Sequence, residues 1–133
     1  MSNYTITKFA DVENSFAKKG WPGEMKFLKN PLETEQVGLS YRKMPPQSGA
    51  KGGYGHKHKT QEEVFVVLSG TVQFKLDDEI VDVAGPAAVR IAPPVVRGVW
   101  NDSKEDAEIL IVSTRAEDLR EEAEMVEGFW PAD

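Results

Sequence analysis

The second half of the chain alternates between apolar and polar residues. In Thr71-Val72-Gln73-Phe74-Lys75-Leu76 every second residue is apolar, the period of a strand with one buried and one wet face. Further short runs of β-forming residues cover 63–68, 80–83, 87–91, 95–101 and 107–114, with Gly, Pro and Asp between them. Six short strands at this spacing predict an all-β sandwich or barrel rather than alternating helices and strands. Asp77-Asp78 falls between two runs, where a tight hairpin wants residues that tolerate positive φ, and Gly70 and Gly85 mark two more turns. Upstream, 36–44 places Val37, Leu39 and Tyr41 on one side and stops at Pro45-Pro46, which cannot continue a ladder. It is the seventh strand.

The flanks follow other patterns. Gly20, Pro22, Gly23 and Pro31 break up the first 35 residues, leaving 24–28 as one short strand. Residues 116–126 are rich in helix formers, with Ser113 or Thr114 ahead of them to cap a first turn. Phe129-Trp130-Pro131 is apolar for a terminal segment, so Phe129 and Trp130 are expected to pack on the barrel or on a second subunit.

Composition narrows the class. A chain of 133 residues with 40% apolar and 29% charged residues is the size and balance of one globular domain. The barrel core is expected at about 36–114 and an acidic helix and tail at 115–133. No apolar run is long enough to span a bilayer, and the first residues lack the layout of a signal peptide. With no cysteines, disulfides and thiolate metal sites are excluded, and a cytoplasmic location is expected. The net charge is −6, of which −5 lies in 115–133. Nucleic-acid binding, which needs clustered Lys and Arg, is not expected. Arg42, Lys43, Lys51, Lys57 and Lys59 surround the two histidines in sequence and favour a small anionic ligand over a cationic one.

Those histidines, His56 and His58, are the only two in the chain. Two residues apart on a strand, they share one face, as a metal ion or polar pocket requires. Strict alternation would put Glu62, rather than Glu63, on that face too. They follow the one Gly/Pro/Ser-rich run, 45–54, a candidate mobile loop.

The segment Gly55-His56-Lys57-His58-Lys59-Thr60-Gln61-Glu62-Glu63, followed by Gly70, resembles the first conserved motif of the cupin superfamily. That motif has His-x-His, a Glu after three or four residues, and a Gly after six more. Its leading Gly falls on Ala50. A second stretch, from Gly85 through Pro93-Pro94 to Asn101, resembles the second cupin motif, except that Arg97 stands at its histidine position.

The resemblance implies a jelly-roll (double-stranded β-helix) barrel, to which the helix formers of 116–126 add a short C-terminal helix. It also implies a divalent iron, manganese, zinc or nickel ion held by His56, His58 and Glu63, with Glu62 the reserve carboxylate and Gln61 a weaker one. Arg97, Glu62, Gln61, Tyr41 and Trp100 are expected to bind substrate, although for Tyr41 and Trp100 residue type alone favours filling the barrel. A fixed positive charge at Arg97 opposes a dication. Arg97 either swings away toward a bound anion, or pairs with Glu63 to leave a metal-free site.

Three roles remain open: a metal-dependent oxygenase or isomerase, a metal-free ligand-binding module, and a scaffold that uses the acidic tail. A homodimer is expected by resemblance alone.

Overall fold

The computed structural model describes residues 3–116 and 118–133. Among these described residues, eleven strands form two antiparallel sheets that face each other. One holds β1 (Glu24–Phe27), β2 (Val37–Met44), β10 (Ala107–Thr114), β5 (Glu63–Ser69) and β8 (Ala87–Ile91), in the order β1-β2-β10-β5-β8. The other runs β11-β4-β9-β6-β7, with β11 (Ala123–Val126), β4 (Gly55–His58), β9 (Arg97–Asn101), β6 (Thr71–Leu76) and β7 (Glu79–Ala84). The two-residue β3 (Ser48–Gly49) pairs with β9. This is an all-β barrel, as the pattern predicts, with the jelly-roll arrangement that the motif resemblance implies.

Where alternation is clean, the sequence reading holds closely: β6, β8 and β10 occupy the expected residues. Asp77 takes a φ of 52° in the two-residue turn between β6 and β7, and Gly70, at φ 77°, turns β5 into β6. A side chain at Gly70 would meet the Asp106 carbonyl and Ala107, so the turn needs glycine twice over.

The core lies between the sheets. Met44, Phe65, Val67, Val72, Phe74, Ile91, Val99, Ala107 and Ile109 are buried together, and the rings of Phe65 and Phe74 meet edge-on at 5.5 Å, a favoured aromatic geometry. A smaller cluster, Val12, Leu28 and Tyr41 with Leu32, Leu39 and Leu110, sits outside the first sheet. Here a short 3-10 turn (Phe9–Asp11) with Val12, and a single turn of helix, α1 (Lys29–Leu32), cover the sheet, while β1 extends it at the edge and a second 3-10 turn spans Ala17–Lys19. The apolar side of β2 therefore faces this cover. Its other side, with Ser40, Arg42 and Met44, faces the barrel interior, because Arg42 is opposite Ile109 and Met44 opposite Ala107.

The expected helix over 116–126 is mostly replaced. Only Leu119–Glu122 is helical (α2), after which Ala123–Val126 becomes β11 and pairs antiparallel with the histidine strand β4. Helix propensity favours a helix by only a fraction of a kcal/mol per residue. It yields to the open edge of β4, whose backbone groups need partners. Beyond β11 the chain docks on the barrel. Trp130 is 2% exposed, Gly52 donates to its carbonyl and its own N–H donates to the Gly53 carbonyl. Phe129 lies against Gly55, under the Lys75 ammonium, which stands 3.8 Å from its ring centre.

Candidate metal centre

His56 and His58 alternate along β4 and project from one face. β4 ends at His58, and the bends at Lys59 and Thr60 break the alternation before β5 begins at Glu63. That break brings Glu63, rather than Glu62, onto the interior face. Glu63 is opposite Ile91 on one side and Ser113 on the other, whereas Glu62 is exposed and pairs with Arg90 at 3.1 Å.

One carboxylate oxygen, Glu63 Oε1, gathers the whole site. It is 3.6 Å from His56 Nε2, 3.4 Å from His58 Nε2 and 2.6 Å from Arg97 Nη1. Burial pushes the Glu63 carboxyl up, but the two imidazoles and the guanidinium outweigh it and hold it well below the usual carboxylate range. Both ring nitrogens of buried His58 lack a hydrogen-bond partner among the described residues.

These dimensions fit an ion. One ligand atom from each of His56, His58 and Glu63 lies within 4.8 Å of the others. Two donors about 2.1 Å from one metal at a tetrahedral angle stand roughly 3.4 Å apart. The two Glu63–histidine separations match that edge, and the buried His58 imidazole has no hydrogen-bond partner among the described residues to compete with an ion. Two imidazoles and a carboxylate suit iron, manganese, zinc or nickel.

Of its two expected courses Arg97 takes the pairing with Glu63, and it is tied into the wall. It is 0% exposed, and each guanidinium nitrogen is bonded to protein. Nε donates to the Val95 carbonyl, Nη1 to Glu63, and Nη2 to the carbonyls of Ala92, Pro93 and Val95. It therefore fixes Glu63 in place.

The other expected ligand residues are dispersed. Gln61 is buried near the site, its amide donating to the Thr114 carbonyl. Tyr41 lies in the outer cluster and donates its hydroxyl to Glu108. Trp100 lies on the opposite face of β9 from Arg97 and donates to Asp102.

One participant escaped the sequence reading. Glu122 accepts bonds from the backbone N–H groups of Lys59 and Thr60 and from the Thr60 hydroxyl, and its Oε2 is 3.8 Å from His58 Nδ1. Burial pushes its carboxyl up, but these donors win and hold it below the usual range. Glu122 locks the turn that carries the chain from His58 toward Glu63. No motif marks it, because its role follows from β11 lying beside β4.

A cupin domain model matches residues 42–113, more than half of the chain. The chain belongs to the cupin domain family. This cupin also superposes on solved barrels. A cupin protein from Bacteroides fragilis matches with a TM-score of 0.70 at 23% identity, over 89% of each chain. A polyketide cyclase from Streptomyces resistomycificus matches at 0.73 and 17%, over 94% of this chain and 85% of the other. A cupin-superfamily sugar phosphate isomerase from Silicibacter pomeroyi matches at 0.66 and 16%, over 84% and 76%. At these identities the likeness is one of fold. No curated protein matches the sequence. No described helix is long and apolar enough to cross a membrane.

Proposed function

We propose that this cupin is a metal-dependent enzyme, of the oxygenase or isomerase type, acting on a small anionic or polyhydroxyl molecule. The observation that carries this reading is the convergence of His56 Nε2, His58 Nε2 and the Glu63 carboxylate within 4.8 Å, beside an imidazole with no other partner. A divalent ion bound there supplies Lewis acidity toward a ligand oxygen, with redox chemistry added if it is iron or manganese. Arg97 keeps Glu63 ionised and oriented. Glu122 faces Nδ1 of His58, where a carboxylate favours the tautomer that frees Nε2 for a metal. The cyclase and isomerase named above support the reading by analogy alone, since one fold carries many chemistries.

Metal analysis of the purified protein tests it. We expect about one iron, manganese, zinc or nickel ion per chain, lost when His56 and His58 are both replaced by Ala. A metal-free protein after supplementation with all four ions supports a second reading, favoured by the buried Arg97–Glu63 pair: a non-catalytic module that binds a small ligand directly. A homodimer, to be checked by sedimentation, remains part of the proposal.

A further inference from the structure

Arg42 is a charge inside the barrel that nothing among the described residues answers. It lies opposite Ile109 in the β2–β10 ladder, and Ile109 lies opposite Val67. Directly paired residues share a face, and Val67, Phe65 and Glu63 alternate onto one face of β5. Arg42 and Glu63 therefore open into the same interior. Their levels are four residues apart on β5, about 13 Å at about 3.3 Å per residue.

The surroundings of Arg42 are poor in partners. Its Nε is sealed from solvent with no hydrogen-bond partner, and the nearest compensation is the ring of Phe16, 5.2 Å from the guanidinium carbon. Burial pushes its pKa down to about 10. Three lysines of the same basic group differ: Lys43 has Asp106, Lys51 has Asp133 and Lys57 has Glu124. Arg97 is bonded at every nitrogen. Arg42 is half-buried, and a guanidinium with one nitrogen sealed and no counter-ion among the described residues is costly to the empty fold; a ligand anion offsets that cost.

The inward faces of the two sheets each carry one exposed apolar side chain. Phe27 is opposite Ser40, and Met125 is opposite His56. Both point inward by register, yet they are 55% and 56% exposed. They sit on β1 and β11, each an edge strand of its sheet, so solvent reaches the inward-facing side at both edges.

We propose that Arg42 is the anion-recognition residue of this barrel, and that its ligand is a small organic acid. One carboxylate meets Arg42, an apolar middle passes Phe27 and Met125, and an oxygen-bearing end reaches the His56, His58 and Glu63 centre. The last clause rests on the metal reading; the contact at Arg42 does not.

Succinate serves as the probe, titrated at constant ionic strength into the wild type, Arg42→Met and Arg42→Lys while the thermal midpoint is followed. Wild type should show a saturable rise. Arg42→Met should melt above wild type without succinate and bind it at least tenfold more weakly, and Arg42→Lys should retain a weakened response. The proposal is overturned if wild type does not respond, if Arg42→Met melts below wild type without succinate, or if its affinity for succinate is unchanged. Mn²⁺ titration of the same proteins separates the two readings. Loss of manganese binding by wild type removes the metal centre, while the succinate response in EDTA still decides Arg42.

Discussion

Replacing Arg97 by Met should weaken the fold and strengthen the metal site at once. The side chain is fully buried and its Nη1 is 2.6 Å from Glu63 Oε1. Removing one partner of a buried ion pair strands the other and costs about 3–5 kcal/mol. For a domain of this size, each kcal/mol is roughly 4 °C, so the metal-free midpoint should fall on the order of 15 °C.

The metal limb has the opposite sign. A dication about 2.1 Å from Glu63 Oε1 leaves the Arg97 nitrogen at most about 5 Å away, where repulsion is about 7 kcal/mol at an effective dielectric of 20. The Glu63 carboxylate and the carbonyls of Ala92, Pro93 and Val95 absorb much of that field. Relief of even a fifth, about 1.4 kcal/mol, tightens binding tenfold.

Calorimetric titration with Zn²⁺ or Mn²⁺ should therefore give an affinity at least tenfold above wild type. Metal at a hundred times its Kd should restore about 2.7 kcal/mol of the lost stability. An Arg97→Met protein as stable as wild type in EDTA, or one that binds metal no better, refutes the electrostatic account.

Other outcomes follow from single contacts. Glu122→Gln keeps the shape but loses the charge that grips Lys59 and Thr60, and should cost about 1–3 kcal/mol in urea denaturation and lower metal affinity. Tyr41→Phe should cost about 1 kcal/mol near neutral pH. Burial, then Glu108, raises the Tyr41 pKa from 10.0, so its contribution is complete below pH 10 and fades as pH rises through the folded value. The wild-type advantage over Tyr41→Phe should shrink in alkali, and an advantage that grows there would count against the contact. The Tyr41 hydroxyl holds the Glu108 carboxyl below 4.5. That contribution, no more than about 1 kcal/mol after solvent screening, is present above pH 4.5 and fades as pH falls, so Glu108→Gln should flatten the acid limb of the stability curve. Trp130→Ala, at a 2% exposed position, should cost about 3–5 kcal/mol and loosen β11, seen as faster amide exchange at Met125 and Val126.

The strands were legible wherever alternation was strong and turn residues stood between runs, as from Thr71 to Ile91. Glu63 was legible only through its motif, because the bends at Lys59 and Thr60 that put it on the histidine face leave no periodic trace. Strand β2 misleads in a different way. Val37, Leu39 and Tyr41 form its apolar side, but that side faces the N-terminal cover while Arg42 faces inward. Alternation shows that a strand has two faces; it does not show which face meets the barrel when both are covered. β11 was hidden because its residues are helix formers and the reason for the strand, the bare edge of β4, lies more than sixty residues earlier in the chain. Glu122 was hidden with it.

That separation has a consequence for how the protein is made. Synthesis delivers the histidines long before the strand that borders them, so a growing chain carries β4 as an unprotected edge, open to pairing with a neighbouring nascent chain. Until Ala123–Val126 arrives, neither the edge nor the turn held by Glu122 is in place. Overproduction at high temperature should lose protein at this stage, as aggregates, and slower synthesis should recover it.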